Sequence, residues 1–291
     1  MTNESKGMLL GLGGVFSFGL TLPVTRYVVD YFNPTFIGLG RAVVATFFAA
    51  SLLLITKQPF PTKNQIFKLT ITSIGVVVGF PIFSAIAMQT VPASHGGVVL
   101  GILPLVTAIF GALIAGEKPS FGFWISGVIG TILVTVYSIL HGANTLYTGD
   151  FALLCATISA ALGYAIGGKL SKEIGGWQVI CWSLVIAFPF IVTPAFLKAP
   201  RDWLYIPFSV WLAFLYLALF SQLIGFFFWN KGLALGGISR VSQIQFIQPF
   251  VTIVASAFLI GELLELNTII FSILVVSTVA IGKTMPIRER V

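Results

Sequence analysis

A chain of 291 residues with 57% hydrophobic and 9% charged side chains, and a mean hydropathy of +1.02, lies far outside the composition of a water-soluble domain. Lipid is therefore its solvent, and the net charge of +7, scattered over loops rather than gathered into a stripe, points to membrane topology and away from nucleic acid. The two cysteines, Cys155 and Cys181, show no metal or redox spacing and fall toward opposite leaflets, so neither a metal site nor a disulfide framework is expected.

A spanning helix needs about 20 predominantly apolar residues. Broken at its charge and turn clusters, the sequence predicts ten such segments, at 8–29, 34–56, 66–89, 95–116, 121–141, 148–170, 176–197, 207–230, 238–261 and 265–283. The first is too long for a signal h-region and lacks a small-residue cleavage site, so it counts as helix one. Lys and Arg are retained on the cytoplasmic side during insertion. With the N-terminus inside, Lys57, Lys63, Lys118, Lys169, Lys172 and Lys231 fall on that side with both chain ends, against Arg26, Lys198 and Arg201 outside. The expectation is a multi-pass protein of the inner membrane with cytoplasmic termini.

Polar side chains inside lipid are expensive and tend to face the protein interior or a wet cavity. Helix one supplies Ser17, Phe18 and Thr21. Helix two carries Arg41 within its first turns. Snorkelling to the interface or pairing with Asp30 is its more economical account, and contact with a substrate carboxylate is the alternative. Helix three adds Phe80, Phe83, Met88 and Gln89; helix four opens with His95, suited to an interfacial hydrogen bond or to proton coupling. Pro104 in helix four removes a backbone donor and frees the carbonyl of Leu100, which predicts a kink that either shapes the bundle or serves as a gating hinge. His141 at the end of helix five is expected at the interface, and Tyr164 of helix six toward the interior.

Helix eight carries Gln222 and the run Phe226-Phe227-Phe228-Trp229-Asn230. In helix nine, at about 100° per residue, Ser242, Gln245, Gln248, Pro249, Thr252 and Ser256 share one face with Gln243 opposite. Pro249 predicts a second kink and frees the carbonyl of Gln245. The candidate substrate-binding set is thus Ser17, Phe18, Phe83, Gln89, His95, Tyr164, Gln222, Trp229, Asn230, Ser242, Gln245 and Gln248, a neutral, aromatic and amide-lined pocket. It suits a small molecule with an apolar body and a few hydrogen-bonding groups, such as an amino acid.

The sequence also repeats. Pro104, Thr107, Gly116 and Glu117 recur as Pro249, Thr252, Gly261 and Glu262 at one constant spacing of 145 residues. Upstream the match is weaker, Ser17 answering Ser159 and Pro34 answering Gly176. The halves are residues 1–141 (helices one to five) and 148–283 (helices six to ten), followed by a tail at 284–291. Five helices per half is an odd number, so the second half enters the bilayer inverted, a recurrent transporter design.

These motifs, with Phe36-Ile37-Gly38-Leu39-Gly40-Arg41 and Ser17-Phe18-Gly19, give the chain a resemblance to the drug/metabolite transporter superfamily, in particular its ten-helix branch of two EamA-type repeats. The resemblance spans nearly the whole chain. It implies an all-α membrane protein with a central cavity formed mainly by helices one, three, four, six, eight and nine, with five and ten peripheral. Similar proteins export amino acids, including aromatic ones, drugs and other metabolites.

The sequence holds no HExxH pair, no phosphate loop ending in Lys, no paired carboxylates within a segment and no Ser, His and acid set at membrane depth, so no catalytic residue is assigned. No cofactor is expected, and ATP-driven transport by this chain alone is excluded. The expected partners are a small-molecule substrate and membrane lipids, with a monomer or weak homodimer as the unit. Export of amino acids or related metabolites by alternating access, facilitated or by exchange, is the expected function. Proton-coupled drug export, a non-transporting lipid- or ligand-binding protein, and an intramembrane enzyme are the alternatives.

Overall fold

A computed structural model of the protein describes residues 1–140, 148–261 and 266–289. Among them lie the rods α1 (Asn3–Val28), α2 (Phe36–Ile55), α3 (Lys63–Ala87), α4 (Ala93–Ala115), α5 (Phe121–Leu140), α6 (Thr148–Ile174), α7 (Gly176–Leu197), α8 (Phe208–Gly236), α9 (Ile238–Ile260) and α10 (Leu266–Thr284). Eight of these, all but α5 and α10, are long and apolar enough to cross a membrane. In hydrocarbon no water can satisfy a backbone amide, so segments that bond internally are the viable form. Polar caps set the ends. Thr2 accepts a hydrogen bond from the Ser5 amide and starts α1 at Asn3, ahead of the predicted residue 8, while a Thr62/Gln65 capping box starts α3.

The rods are interrupted where the sequence withdraws a donor. Pro23 lacks the amide that would bond to the Gly19 carbonyl; α1 breaks at Leu20, and the Thr252 hydroxyl of α9 donates to Gly19 O instead, at 2.7 Å. Ahead of Pro104 and Pro249 the winding tightens to 3-10 geometry, over Leu100–Ile102 in α4 and Gln243–Ile247 in α9, at the positions where the prolines predict kinks. π-helical turns occupy Ser73–Gly79 in α3 and Leu217–Ile224 in α8, again close to the 145-residue spacing. The repeat is thus written in the irregularities as well as in the residues.

The halves interlock. The first helix of each packs on the third and fourth of the other: α1 on α8 and α9, α6 on α3 and α4. The second, fourth and fifth helices meet their own counterparts, α2 on α7, α4 on α9 and α5 on α10. The main apolar core runs through Val15, Leu39, Leu103, Ala161, Leu184, Trp229 and Val241. Residues 287–289 fold back as a short strand antiparallel to residues 117–119, Lys118 opposite Arg288, so the end of the chain is stitched to the exit of α4. The sequence carried no signal for that pairing.

Close approach of α1 and α8 depends on glycine. A Cβ on Gly7 would meet Gly236 N at 2.5 Å, Gly236 Cα at 2.7 Å and Gly232 O at 2.8 Å, all backbone atoms that cannot swing aside. On Gly13 it would meet nothing nearer than Phe228 Cγ at 3.6 Å. Gly7→Ala is expected to destabilise the protein by about 1–3 kcal/mol and lower its unfolding midpoint in detergent, while Gly13→Ala leaves it unchanged.

Candidate functional site

Where the two halves meet, four buried rings from three helices form one cluster. Phe18 of α1 stacks on Tyr164 of α6 (centroids 6.1 Å apart) and tilts against Phe226 of α8 at 4.9 Å. Trp229, one turn along α8, sets its edge to Tyr164 at 5.2 Å and to Phe18 at 6.0 Å. Position along α8 explains the set: Gln222, Phe226, Trp229 and Asn230 fall on its inner face, whereas Phe228 is exposed and Phe227 half-buried.

Trp229 Nε1, in this cluster, has no hydrogen-bond partner among the described residues. Elsewhere in the bundle the same holds for Arg41 Nε, both amide atoms of Gln245, Gln248 Oε1, Thr107 Oγ1, Ser256 Oγ, Thr25 Oγ1, Gln178 Oε1 and Gln243 Oε1. A buried polar atom left unpaired costs about 1–3 kcal/mol, and such atoms in a folded protein call for a functional explanation. Several in one bundle core are what a wetted or ligand-filled chamber requires and what a static lipid-solvated bundle would eliminate.

Arg41 departs from the more economical expectation. It neither snorkels nor reaches Asp30: its exposure is 2%, and Asp30 lies 3.8 Å from Arg26 instead. The buried faces of α2 against α7 and α8 hold it inside, next to Leu39 and Ala42 of the main apolar core. Taking an ion out of water carries a penalty of several kcal/mol that an unpaired charge does not recover.

The remaining candidates separate into groups. Gln245 and Gln248 are buried on α9 with unpaired amide atoms; Gln243 faces away, its Nε2 donating to Ser126 Oγ of α5 at 3.3 Å and its Oε1 unpaired. Ser242 Oγ donates to its own helix at Ser239 O, and Ser17 Oγ to Gly13 O. Gln222 Nε2 donates to Val76 O at 3.1 Å, joining the π turns of α8 and α3. Asn230 Nδ2 donates to Gly176 O at 3.1 Å, beside a cleft of about 820 Å³ edged by Lys172, Trp177, Phe227 and Lys231. Phe83 is half-buried and Gln89 exposed, both away from the ring cluster toward the far end of α3. His141 and Glu262 lie outside the described residues.

His95 makes a contact the sequence did not disclose. Its Nε2 is 2.8 Å from Asp150 Oδ1, joining the start of α4 to the start of α6. The position matching His95 at the 145-residue spacing is Arg240, whose Nε lies 3.3 Å from Glu4 Oε1, joining the start of α9 to the start of α1. The two pairs therefore close equivalent seams at opposite ends of the bundle. At the end that holds both termini, Gly116 adopts φ 73°, a left-handed turn suited to glycine. That turn ends α4 and lets the Glu117 carboxylate accept hydrogen bonds from the Ile238 amide (2.6 Å) and the Ser239 amide (2.7 Å), capping α9. The Gly-Glu of the first half thus acquires a physical role, and the pairing of positions 95 and 240 was open to the same register analysis.

A bundle of two interlocking repeats, with apolar spans and buried rings and polar groups where the halves meet, is the architecture of a multi-pass membrane protein. The profile of the EamA-like transporter family matches residues 5–139 and 147–281. The chain belongs to that family, within the drug/metabolite transporter superfamily. It is 38% identical to the uncharacterized transporter YdeK of Bacillus subtilis, over 97% of this chain and 99% of that one. It is 24% identical to a probable amino-acid metabolite efflux pump of Salmonella typhimurium, over 89% and 88%. A solved crystal structure superposes with a TM-score of 0.76 at 16% identity, covering 96% of each chain, and supports the fold.

Replacing Glu117 by Ala removes both charge-assisted bonds to the α9 start, each worth about 1.5–3 kcal/mol. With Cys155 and Cys181 replaced, a single cysteine at the buried Ser242 position is expected to react faster with a water-soluble maleimide in Glu117→Ala than in the parent, with Glu117→Asp intermediate.

Proposed function

We propose that the protein exports amino acids or related small amphipathic metabolites by alternating access, driven by the substrate gradient or by exchange, from an inner-membrane position with both termini cytoplasmic. The observation that carries this is the presence in one bundle of a buried ring cluster, Phe18, Tyr164, Phe226 and Trp229, and of unpaired buried polar atoms that include Trp229 Nε1, Arg41 Nε and the Gln245 amide. An apolar wall with sparse convergent polar groups suits a ligand that is mostly apolar with a few hydrogen-bonding groups. The equivalent closures at the two ends support alternation. When Glu117 and Arg240 hold one seam and His95 and Asp150 the other, rocking of the halves opens one end while the opposite one stays shut. The relative named as an amino-acid metabolite efflux pump supports the substrate class, and the excess of Lys and Arg in the connections at the terminal end supports the orientation.

Counterflow in proteoliposomes with a panel of labelled amino acids tests this. At equal incorporation, Gln245→Ala and Tyr164→Ala are expected to reduce flux about tenfold or more, the scale of one lost hydrogen bond or ring contact at a binding site, and Gln243→Ala to leave it near the parent rate. Equal loss in all three removes the assignment of the chamber to this face of α9.

One observation favours a second reading, proton-coupled export: the part-buried His95–Asp150 pair is a titratable unit at a seam. A pH gradient that accelerates net efflux in the parent but not in His95→Gln selects it over facilitated exchange.

A further inference from the structure

We propose that Arg41 is the anion-recognition group of the central chamber and that the ligand presents it with a carboxylate, its apolar part lying against Phe18, Tyr164, Phe226 and Trp229. The proposal deepens the transport reading, although its binding arm stands without it.

The guanidinium is permanently charged, 2% exposed and donates no hydrogen bond to any described residue. Every described Asp and Glu lies near a helix end or in a connection: Glu4, Asp30, Glu117, Asp150, Glu173 and Asp202, with Glu289 in the terminal strand. The acid nearest in sequence, Asp30, is 73% exposed and held beside Arg26. Among the described residues the cation inside the bundle has no anion supplied to it, and the counter-charge arrives with the ligand. The cation lies within the bundle rather than toward lipid, since Leu39 and Ala42 beside it in sequence belong to the same buried core as Phe18, Tyr164, Phe226 and Trp229.

Chemistry then narrows the ligand. A guanidinium offers a rigid fork of donors that matches the two oxygens of a carboxylate. A single cation among neutral amides and hydroxyls balances one negative charge, which favours a monocarboxylate over a phosphate ester. The ring faces beside it accept an apolar side chain, or an ammonium through cation–π contact. A small amino or oxo acid meets all these conditions at once.

The test uses the full chain purified in detergent and titrated with matched probes, following Trp fluorescence and the unfolding midpoint. The probes are phenylalanine, leucine and threonine, each with its carboxamide, together with 3-phenylpropionate and phenethylamine. At least one carboxylate is expected to bind ten- to hundredfold, roughly, more tightly than its carboxamide, the scale of one charge-assisted bidentate contact. Arg41→Gln should abolish that preference while still binding the carboxamide, and Arg41→Lys should keep part of it. Carboxylates binding no better than their carboxamides in the parent protein, which needs no variant to fold, overturns the proposal. So does a preference that survives intact in Arg41→Gln. Carboxylate-selective binding with no counterflow of the same compounds in liposomes leaves the Arg41 site standing and overturns the transport reading alone.

Discussion

In hydrocarbon, a polar group that leaves water has to find its partner inside the protein, and this structure is arranged around meeting that demand and, at one place, around leaving it unmet. The demand selects helices over their whole length. It also selects what happens where a helix is broken. Pro23 strands the Gly19 carbonyl and Thr252 reaches across from the other half to satisfy it; Val76 O in the π turn of α3 receives the Gln222 amide from the π turn of α8. Such repairs are contacts between halves, so the irregularities that would weaken a lone helix become the bonds that hold the two repeats in register.

The same bookkeeping turns unpaired groups into a locator. Away from the centre, the structure spends hydroxyls on carbonyls: Thr46 on Ala42, Ser73 on Ser183, Thr157 on Leu153. At the centre it does not, and Arg41, Trp229, Gln245 and Gln248 keep buried atoms without a partner among the described residues. Thr25, Gln178 and Gln243 keep an unpaired buried oxygen as well, so the unpaired groups are spread through the bundle, with Trp229 in the aromatic cluster among them.

Inverted duplication also explains why the ends differ in chemistry while sharing geometry. His95 and Arg240 stand at matched positions, and each binds the start of a fourth helix to an acid near the start of the other half's first, Asp150 and Glu4. One closure sets a guanidinium against a carboxylate, the other an imidazole. Two seams of equal design but unequal chemistry allow the two faces of a transporter to respond to different surroundings.

Much of this was legible in the residues, and the division has a physical basis. Lipid imposes a length and an apolarity on each span, and duplication preserves register, so the helical rods, the repeat at 145 residues, the proline breaks in α4 and α9 and the opposed faces of Gln243 and Gln245 could all be read along one dimension. Partner choice could not be read that way. Whether Arg41 meets Asp30, whether Asn230 faces a chamber or staples α8 to Gly176, and which amides Glu117 caps depend on how helices distant in sequence are rotated against one another. Helical periodicity tells which residues share a face; only the packing of ten faces in three dimensions decides what each face meets, and therefore which polar groups are satisfied and which are left to a ligand.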